Sequence, residues 1–311
     1  MIEKPHPSLS ILIPTRNFAP NALVRALARQ TNTTYAETEI LVLDDASSDT
    51  TSINALKTLE QEGVCRVLWQ PVNQGRARAR NILYKESRGE WLLFIDSDAE
   101  VLAPDFLIRH LADATLADVV CGGLVNPPPP ATRGCELRYK YETAATRKGR
   151  RNAQWRNAHP YECISTFNIL VNRRVMDTAP FNDSLNEYGY EDTAFGLSLQ
   201  RHGFSVLHTD NALLHTGITP SPAFLANTEA ALRNLTRLPY DIQCEISVAR
   251  LAERLRNWHL DAPLRLLFRF AKPLLCRNLI SQHPSLSFFQ LYKLCFLLSL
   301  KKNKPKIGYL P

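Results

Sequence analysis

The residues of this chain best suited to chemistry are acids placed at the ends of apolar runs. "EWLLFIDSD" (90–98) passes through Trp91, Leu92, Leu93, Phe94 and Ile95, then stops at Asp96 and Asp98. "EILVLDD" (39–45) stops in the same way at Asp44 and Asp45, and a third acidic pair, Glu191–Asp192, opens "EDTAFGLSLQRHG". Two carboxylates at i and i+2 leaving a strand can approach one hard cation. Mg²⁺ and Mn²⁺ favour such oxygen ligands and complete their shells with water and phosphate oxygens. An ion there neutralises charge on a departing diphosphate. An Asp-x-Asp triplet is expected about once by chance in a chain of this size, and it also starts turns, so the triplet alone decides nothing. Its position does.

Four segments are built alike, namely "LSILIPT" (9–15), "EILVLDD" (39–45), "CRVLWQ" (65–70) and "EWLLFIDSD" (90–98). Each is short and nearly continuously apolar, the pattern of strands covered on both faces. Helical stretches alternate with them: Asn21 to Gln30 with Leu23, Ala26 and Leu27 in register, Ser52 to Glu62 behind the capping cluster "SSDTT", Gly75 to Ser87, and Pro104 to Leu116. "ADVVCGGLV" (117–125) predicts a fifth strand, ending at Asn126 and four prolines. This alternation predicts an α/β fold with a Rossmann-like, mostly parallel central sheet flanked by helices. Ligands of such sheets bind beyond the carboxyl ends of the strands. Thr15, Arg16 and Asn17, then Asp44 and Asp45, then Asp96 and Asp98 stand at those ends.

Residues 131–162 look irregular and basic, more like a mobile loop than core. "STFNILVNRRV" (165–175) predicts an alternating strand, 191–203 a helix with acids in its first turn, and "FSVLHTDNALLHTG" (204–217) the close of the sheet. The expected organisation is a domain over 1–217 and a helical, basic, amphipathic region over 218–311.

Several function classes are excluded or disfavoured. There is no G-x-x-x-x-G-K-[ST] for a P-loop, and no G-x-G-x-x-G after the first strand for a dinucleotide dehydrogenase. A phosphohydrolase of the haloacid dehalogenase type carries its D-x-D after the first strand, whereas here it follows the fourth and Glu100 stands two residues on. The seven cysteines are scattered without any C-x-x-C, so neither a zinc ribbon nor a disulfide framework is indicated, and a reducing cytoplasm is the simplest reading. The N-terminus shows no basic start followed by an apolar h-region.

The quoted motifs, with "SILIPTRN", "NQGRARARN" and "YGYEDTAFGLSL", occur in the order and at about the spacing of the inverting glycosyltransferases of family 2, and over residues 8–217 the chain resembles that family. The resemblance implies the GT-A fold and metal-dependent transfer of a sugar from a nucleoside diphosphate donor. A UDP-sugar is favoured over guanosine or thymidine donors. It implies that Thr15 and Asn17 line the nucleotide pocket, with Pro14 shaping it. Asp45 or Asp44 would accept a hydrogen bond from the base or ribose. Gly75 would admit the nucleotide close to the backbone, and Arg76 or Arg80 would face the diphosphate. Asp98 would be the direct ligand of Mn²⁺ or Mg²⁺, Asp96 would lie near ribose or metal, and His215 would be either a further ligand or a structural residue. Asp192 would take the proton of the attacking hydroxyl, with Glu191 holding sugar hydroxyls. Residue by residue the bland alternatives stay open: an Arg-rich helix is often a solvated face, and acids suit any helix start. A degenerate, non-catalytic scaffold is disfavoured because every expected acidic position is filled.

From Ala262 to Pro311 there is no Asp or Glu, while Arg265, Arg269, Lys272, Arg277, Lys293, Lys301, Lys302, Lys304 and Lys306 are positive. Those nine cations exceed the net charge of +7, so the rest of the chain is slightly acidic. Basic residues beside Phe, Leu and Tyr suit an anionic membrane surface, the alternative being helices packed on the catalytic domain. The apolar runs would be wasted on a nucleic acid, so that partner is not expected. A peripheral position on the inner face of a membrane would suit a glycan or lipid-linked acceptor.

Overall fold

The structure, a computed structural model, describes residues 8–129, 131–149, 152–183 and 189–300. Among the described residues ten strands follow in order: β1 (Ser8–Thr15), β2 (Glu37–Asp44), β3 (Arg66–Trp69), β4 (Trp91–Ile95), β5 (Ala99–Glu100), β6 (Val119–Cys121), β7 (Leu124–Val125), β8 (Asn168–Asn172), β9 (Val206–His208) and β10 (Leu213–His215). The helices among them are α1 (Asn21–Thr31), α2 (Thr50–Gln61), α3 (Arg76–Glu86), α4 (Phe106–Asp113), α5 (Glu136–Arg147), α6 (Ala153–Asn157), α7 (Arg173–Thr178) and α8 (Glu191–Arg201). Then come α9 (Ser221–Leu235), α10 (Tyr240–Glu245), α11 (Ser247–Asn257), α12 (Asp261–Leu279) and α13 (Leu286–Ser299).

Contacts divide the chain into two units. The first comprises Met1–Pro127, Ala145–Asn186 and Glu191–Gly217; the second comprises Pro128–Ala144, Glu187–Tyr190 and Ile218–Pro311.

The first unit is built on a seven-stranded sheet of order β3-β2-β1-β4-β8-β6-β9. Its pairs are parallel except at β8, which runs antiparallel to both β4 and β6. The continuous apolar strands follow from burial on both faces. Ile11, Ile13, Val42, Leu93 and Ile95 point into one cluster with Leu23, Leu27, Leu56 and Phe106 from the helices. Their neighbours Leu12, Leu41, Leu43, Leu92 and Phe94 point into the other with Leu83, Val175 and Phe195. Alternation would have left one face wet. Truncating a residue such as Leu93, wholly buried, to Ala costs ~2–5 kcal/mol.

Four expectations need correction. The strand expected over 117–125 is two strands in two sheets: β6 stays in the central sheet, while β7 joins a second, three-stranded sheet of order β5-β10-β7. Gly122 and Gly123 make the break. A Cβ on Gly122 would collide with Asn168 and the Asn211 carbonyl, and Gly123 has φ +84°, a region that favours glycine. The closing segment 204–217 divides as well, with β9 beside β6 and β10 in the small sheet. Residues 165–175 give β8 and then α7, because the Asn172 side chain accepts from Arg174 N and caps a helix start. Residues 131–162 are not a plain loop: they hold α5 and α6. Arg156 of α6 is buried, and it donates to the Cys121 and Thr209 carbonyls at 3.1 and 2.7 Å. A buried, hydrogen-bonded arginine reads as a solvated charge in a sequence.

The second unit is helical. In it Glu229 accepts from Lys272 Nζ at 3.0 Å and from the Tyr292 hydroxyl, tying α9 to α12 and α13. Of the basic tail, Lys301, Lys302, Lys304 and Lys306 lie outside the described residues. No helix among the described residues is long and apolar enough to cross a membrane.

Candidate active site

A cleft of about 350 Å³ opens at the carboxyl ends of β1, β2 and β4. It is lined by Pro14, Thr15, Asn17, Asp45, Arg76, Asp96 and Asp98 among the residues singled out from the sequence, together with Arg16, Phe18, Ala79, Ser97 and Gly217. Parallel pairing puts these strand ends side by side: on β1, Thr15 is in register with Asp44 of β2 and Leu12 with Phe94 of β4.

The first two strand ends are stitched together. Asn17 has φ +50°, a conformation Asn tolerates better than most residues. Its backbone N–H donates to Ser47 Oγ at 2.7 Å, and its Oδ1 accepts from Ser48 N and Asp49 N at 2.7 and 3.1 Å. The Asp44 carboxylate is turned to the loop, accepting from Ser47 N at 3.0 Å and from the Ser47 hydroxyl. Asp45 does line the cleft, and its two oxygens accept from Gln74 N at 2.6 Å and Gly75 N at 3.0 Å. Gly75, with φ +81°, opens α3. Asp49 caps α2, accepting from Ser52 N at 2.9 Å and Thr51 N at 3.4 Å.

The D-x-D turn is the hinge between the two sheets. Asp96 N donates to the Phe167 carbonyl and Ala99 N to the Asp96 carbonyl, both at 3.2 Å, so the chain leaves β4 and enters β5 at once. Thr216 pins the far side, its N–H and hydroxyl donating to the Asp98 carbonyl at 3.0 and 2.8 Å. His215 Nε2 then stands 3.3 Å from Asp98 Oδ2, and its ring packs edge-on to Phe167. Gly217 leaves room for this carboxylate: a Cβ at that position would collide with the Asp98 side chain as it stands.

Beneath the cleft, Arg80 is buried and donates from Nη2 to Asp96 Oδ1 at 2.6 Å. Its Nε and Nη1 have no hydrogen-bond partner among the described residues. Asp192, half-buried at the start of α8, accepts from Thr166 Oγ1 at 2.7 Å. Burial and the neighbouring Glu191 push its carboxyl up to about 6, against the opposing pull of Arg80 and the Thr166 hydrogen bond. Glu191 Oε1 lies 3.9 Å from Arg76 Nη1, and its Oε2 is buried without a hydrogen-bond partner among the described residues. Asp44, Gly75, Arg80, Glu191, Asp192 and His215 are therefore outside the cleft wall proper, although all but Asp44 act on a residue that forms it.

The family model described as Glycosyl transferase family 2 matches residues 10–175, more than half of the chain. The chain belongs to glycosyl transferase family 2. The matched span runs from within β1 through β4, the D-x-D turn and β8, and ends before Glu191 and Asp192.

Curated relatives share shorter stretches with the chain, which spans less than half the length of each. An N-acetylglucosaminyltransferase of Sinorhizobium fredii is 32% identical over 108 residues, 33% of this chain and 25% of that protein. The UDP-Glc:alpha-D-GlcNAc-diphosphoundecaprenol beta-1,3-glucosyltransferase WfgD of Escherichia coli is 33% identical over 90 residues, 29% of this chain and 34% of that protein. An uncharacterized glycosyltransferase of Haemophilus influenzae is 30% identical over 105 residues, and the match spans only 41% of its length. Among solved structures, the mannosyltransferase PcManGT from Pyrobaculum calidifontis, in complex with GDP-Man and Mn²⁺, superposes with a TM-score of 0.56 at 16% identity. That match covers 94% of this chain and 86% of the other. The likeness establishes the shared GT-A architecture.

Residues in or beside the cleft that the sequence did not single out include Phe18, Gly217, Ser97 and Thr166. Phe18, 41% exposed at the cleft wall, follows "TRN" and was legible as an apolar residue out of place. Gly217 follows His215 in "HTG", a glycine just past a strand. Ser97 and Thr166 gave no signal, since a hydroxyl's partner depends on the fold.

Proposed function

We propose that the protein is a metal-dependent inverting glycosyltransferase, moving a sugar from a nucleoside diphosphate donor to a hydroxyl of a glycan or lipid-linked acceptor. The observation that carries this reading is the convergence of Asp45, Asp96 and Asp98 on one cleft, with a carboxyl raised to about 6 at Asp192 beside it.

The nucleoside would lie along Pro14, Thr15 and Asp45, where Phe18 offers a flat apolar surface to a base. The UDP-Glc donor and diphosphoundecaprenol acceptor in the name of WfgD favour a UDP-sugar and a lipid-linked acceptor, hence work at an anionic membrane surface. Arg76, exposed at the wall, would meet the diphosphate.

The donor set suits Mn²⁺ or Mg²⁺. Asp98 Oδ2 and His215 Nε2 are neighbours at 3.3 Å, Asp96 keeps one oxygen clear of Arg80, and no group of three such side chains closes a cage among the described residues. Remaining positions would fall to diphosphate oxygens and water, as these ions favour. The bound ion would neutralise charge on the departing diphosphate.

The chemistry left to the chain is proton transfer and orientation. The acceptor oxygen attacks the anomeric carbon from the face opposite the diphosphate. The carbon–oxygen bond to the diphosphate breaks with its electron pair, and the acceptor proton passes to Asp192. A carboxylate near pKa 6 is a better base than one near 4 and is still ionised at pH 7. Thr166 fixes its rotamer.

A thermal-shift screen of nucleotide sugars with Mn²⁺ tests the reading. UDP or a UDP-sugar should stabilise the wild type only with the ion, and Asp98→Ala should abolish that stabilisation. Equal affinity of Asp98→Ala for ion and donor in calorimetry rules out the metal site.

A further inference from the structure

Helix α12 buries one side and leaves the opposite side bare. Phe268, Leu275 and Leu279 are buried. Leu266, Leu267, Phe270 and Leu274 are 61%, 63%, 71% and 71% exposed. At 3.6 residues per turn these four share one arc of about 100°, a continuous stripe rather than scattered apolar residues. Trp258, 65% exposed, stands just ahead of the helix. Stripes of this kind mark a surface built to be covered.

The charges beside it say by what. Arg269 and Arg277 are exposed on α12 and have no ion-pair partner among the described residues. Arg265, on the same helix, pairs with Asp261 at 3.2 Å, and beyond Asp261 the sequence holds no further acid. A two-fold contact between copies would set the same patch against itself and oppose like charges. A surface of anionic headgroups above acyl chains satisfies both the arginines and the stripe. With its charges, α12 suits lying in that surface rather than crossing it.

We propose that the outward side of α12 is a membrane-docking surface: Leu266, Leu267, Phe270 and Leu274 enter the headgroup–acyl boundary of an anionic bilayer, and Arg269 and Arg277 take its phosphates. The inference deepens the reading of a lipid-linked acceptor and rests on that reading for its purpose, but its test does not depend on catalysis.

The full chain is sedimented with vesicles of phosphatidylcholine alone and of phosphatidylcholine with about one-third phosphatidylglycerol. Wild type should bind the anionic vesicles at least about tenfold more tightly, and salt should weaken the binding. Leu267→Ser/Phe270→Ser should weaken it at least about tenfold by removing apolar burial. Arg269→Glu/Arg277→Glu should weaken it and flatten its salt dependence. Both variants change exposed side chains and should keep the Mn²⁺–UDP thermal shift of the wild type. Vesicle binding without nucleotide binding would sustain the docking surface while removing the donor reading. Nucleotide binding without vesicle binding overturns the docking surface, as does a serine variant that binds vesicles like wild type. A wild-type dimer that the serine variant splits, with no vesicle binding, also overturns it and assigns the stripe to a second copy.

Discussion

Arg80 Nη2 lies 2.6 Å from Asp96 Oδ1, with the arginine side chain 1% exposed and the carboxylate 22%. One end of this pair is buried under the sheet and the other faces the cleft. The same arginine holds down the Asp192 carboxyl, so a single buried cation acts on two acids of the candidate site. Its orphaned Nε and Nη1 mean that the pair is held by charge and position rather than by a full set of hydrogen bonds.

Arg80→Ala should therefore do two separable things. It strips a buried ion pair of one partner, which costs on the order of 3 kcal/mol in urea unfolding. It also removes a cation that favours ionised Asp192, so the acidic limb of the pH–rate profile should move to higher pH. Arg80→Lys, retaining charge without the planar fork, should move that limb less. An unmoved limb in the Ala variant would separate Arg80 from Asp192.

Asp192→Asn should abolish transfer while leaving donor binding nearly intact, measured by turnover and calorimetry. In the wild type kcat/KM should fall as pH drops below about 6. The stability effect has the opposite sense. An acid whose folded pKa is raised contributes stability below its unfolded value near 3.8 and loses it as pH rises through about 6. The Asn variant should thus unfold at higher temperature than wild type at pH 7.5 and show no such gain at pH 3.5. Activity in the variant would assign the base elsewhere.

Gly217→Ala places a methyl against the Asp98 carboxylate. Asp98 must then turn away from His215 Nε2, and the variant should lose most metal-stimulated donor affinity, at least about tenfold, a loss of ~1.4 kcal/mol. Because Gly217 stands at the cleft wall, the change in melting temperature should be small. Isothermal titration with Mn²⁺ and UDP checks both points.

Asp49→Ala should lower the melting temperature by roughly 2 °C through loss of the α2 cap, with kcat/KM unchanged. Its carboxylate is committed to Thr51 N, Ser52 N and the Ser52 hydroxyl. A large loss of donor affinity would instead put Asp49 in the nucleotide site.

The order of strands and helices through Ile95 is legible in the residues alone, because doubly buried parallel strands must be apolar throughout and helices must show the longer period. The sequence also placed acids at strand ends, where parallel pairing brings them to one edge whatever the loops do. Which acid faces where depends on the folded chain. Asp44 and Asp45 are adjacent and chemically identical, yet Asp44 closes on Ser47 while Asp45 lines the cleft, a choice made by backbone donors about 30 residues away at Gln74 and Gly75. Tertiary structure decided the fate of the arginines as well: Arg76 and Arg80 lie one helical turn apart, but one is half exposed and the other is buried under Asp96. It broke 117–125 and 204–217 into strands of two sheets, with Gly122 packed closely against Asn168 and the Asn211 carbonyl, both distant in the chain. Local pattern records what a residue needs; only the folded chain sets which neighbour supplies it.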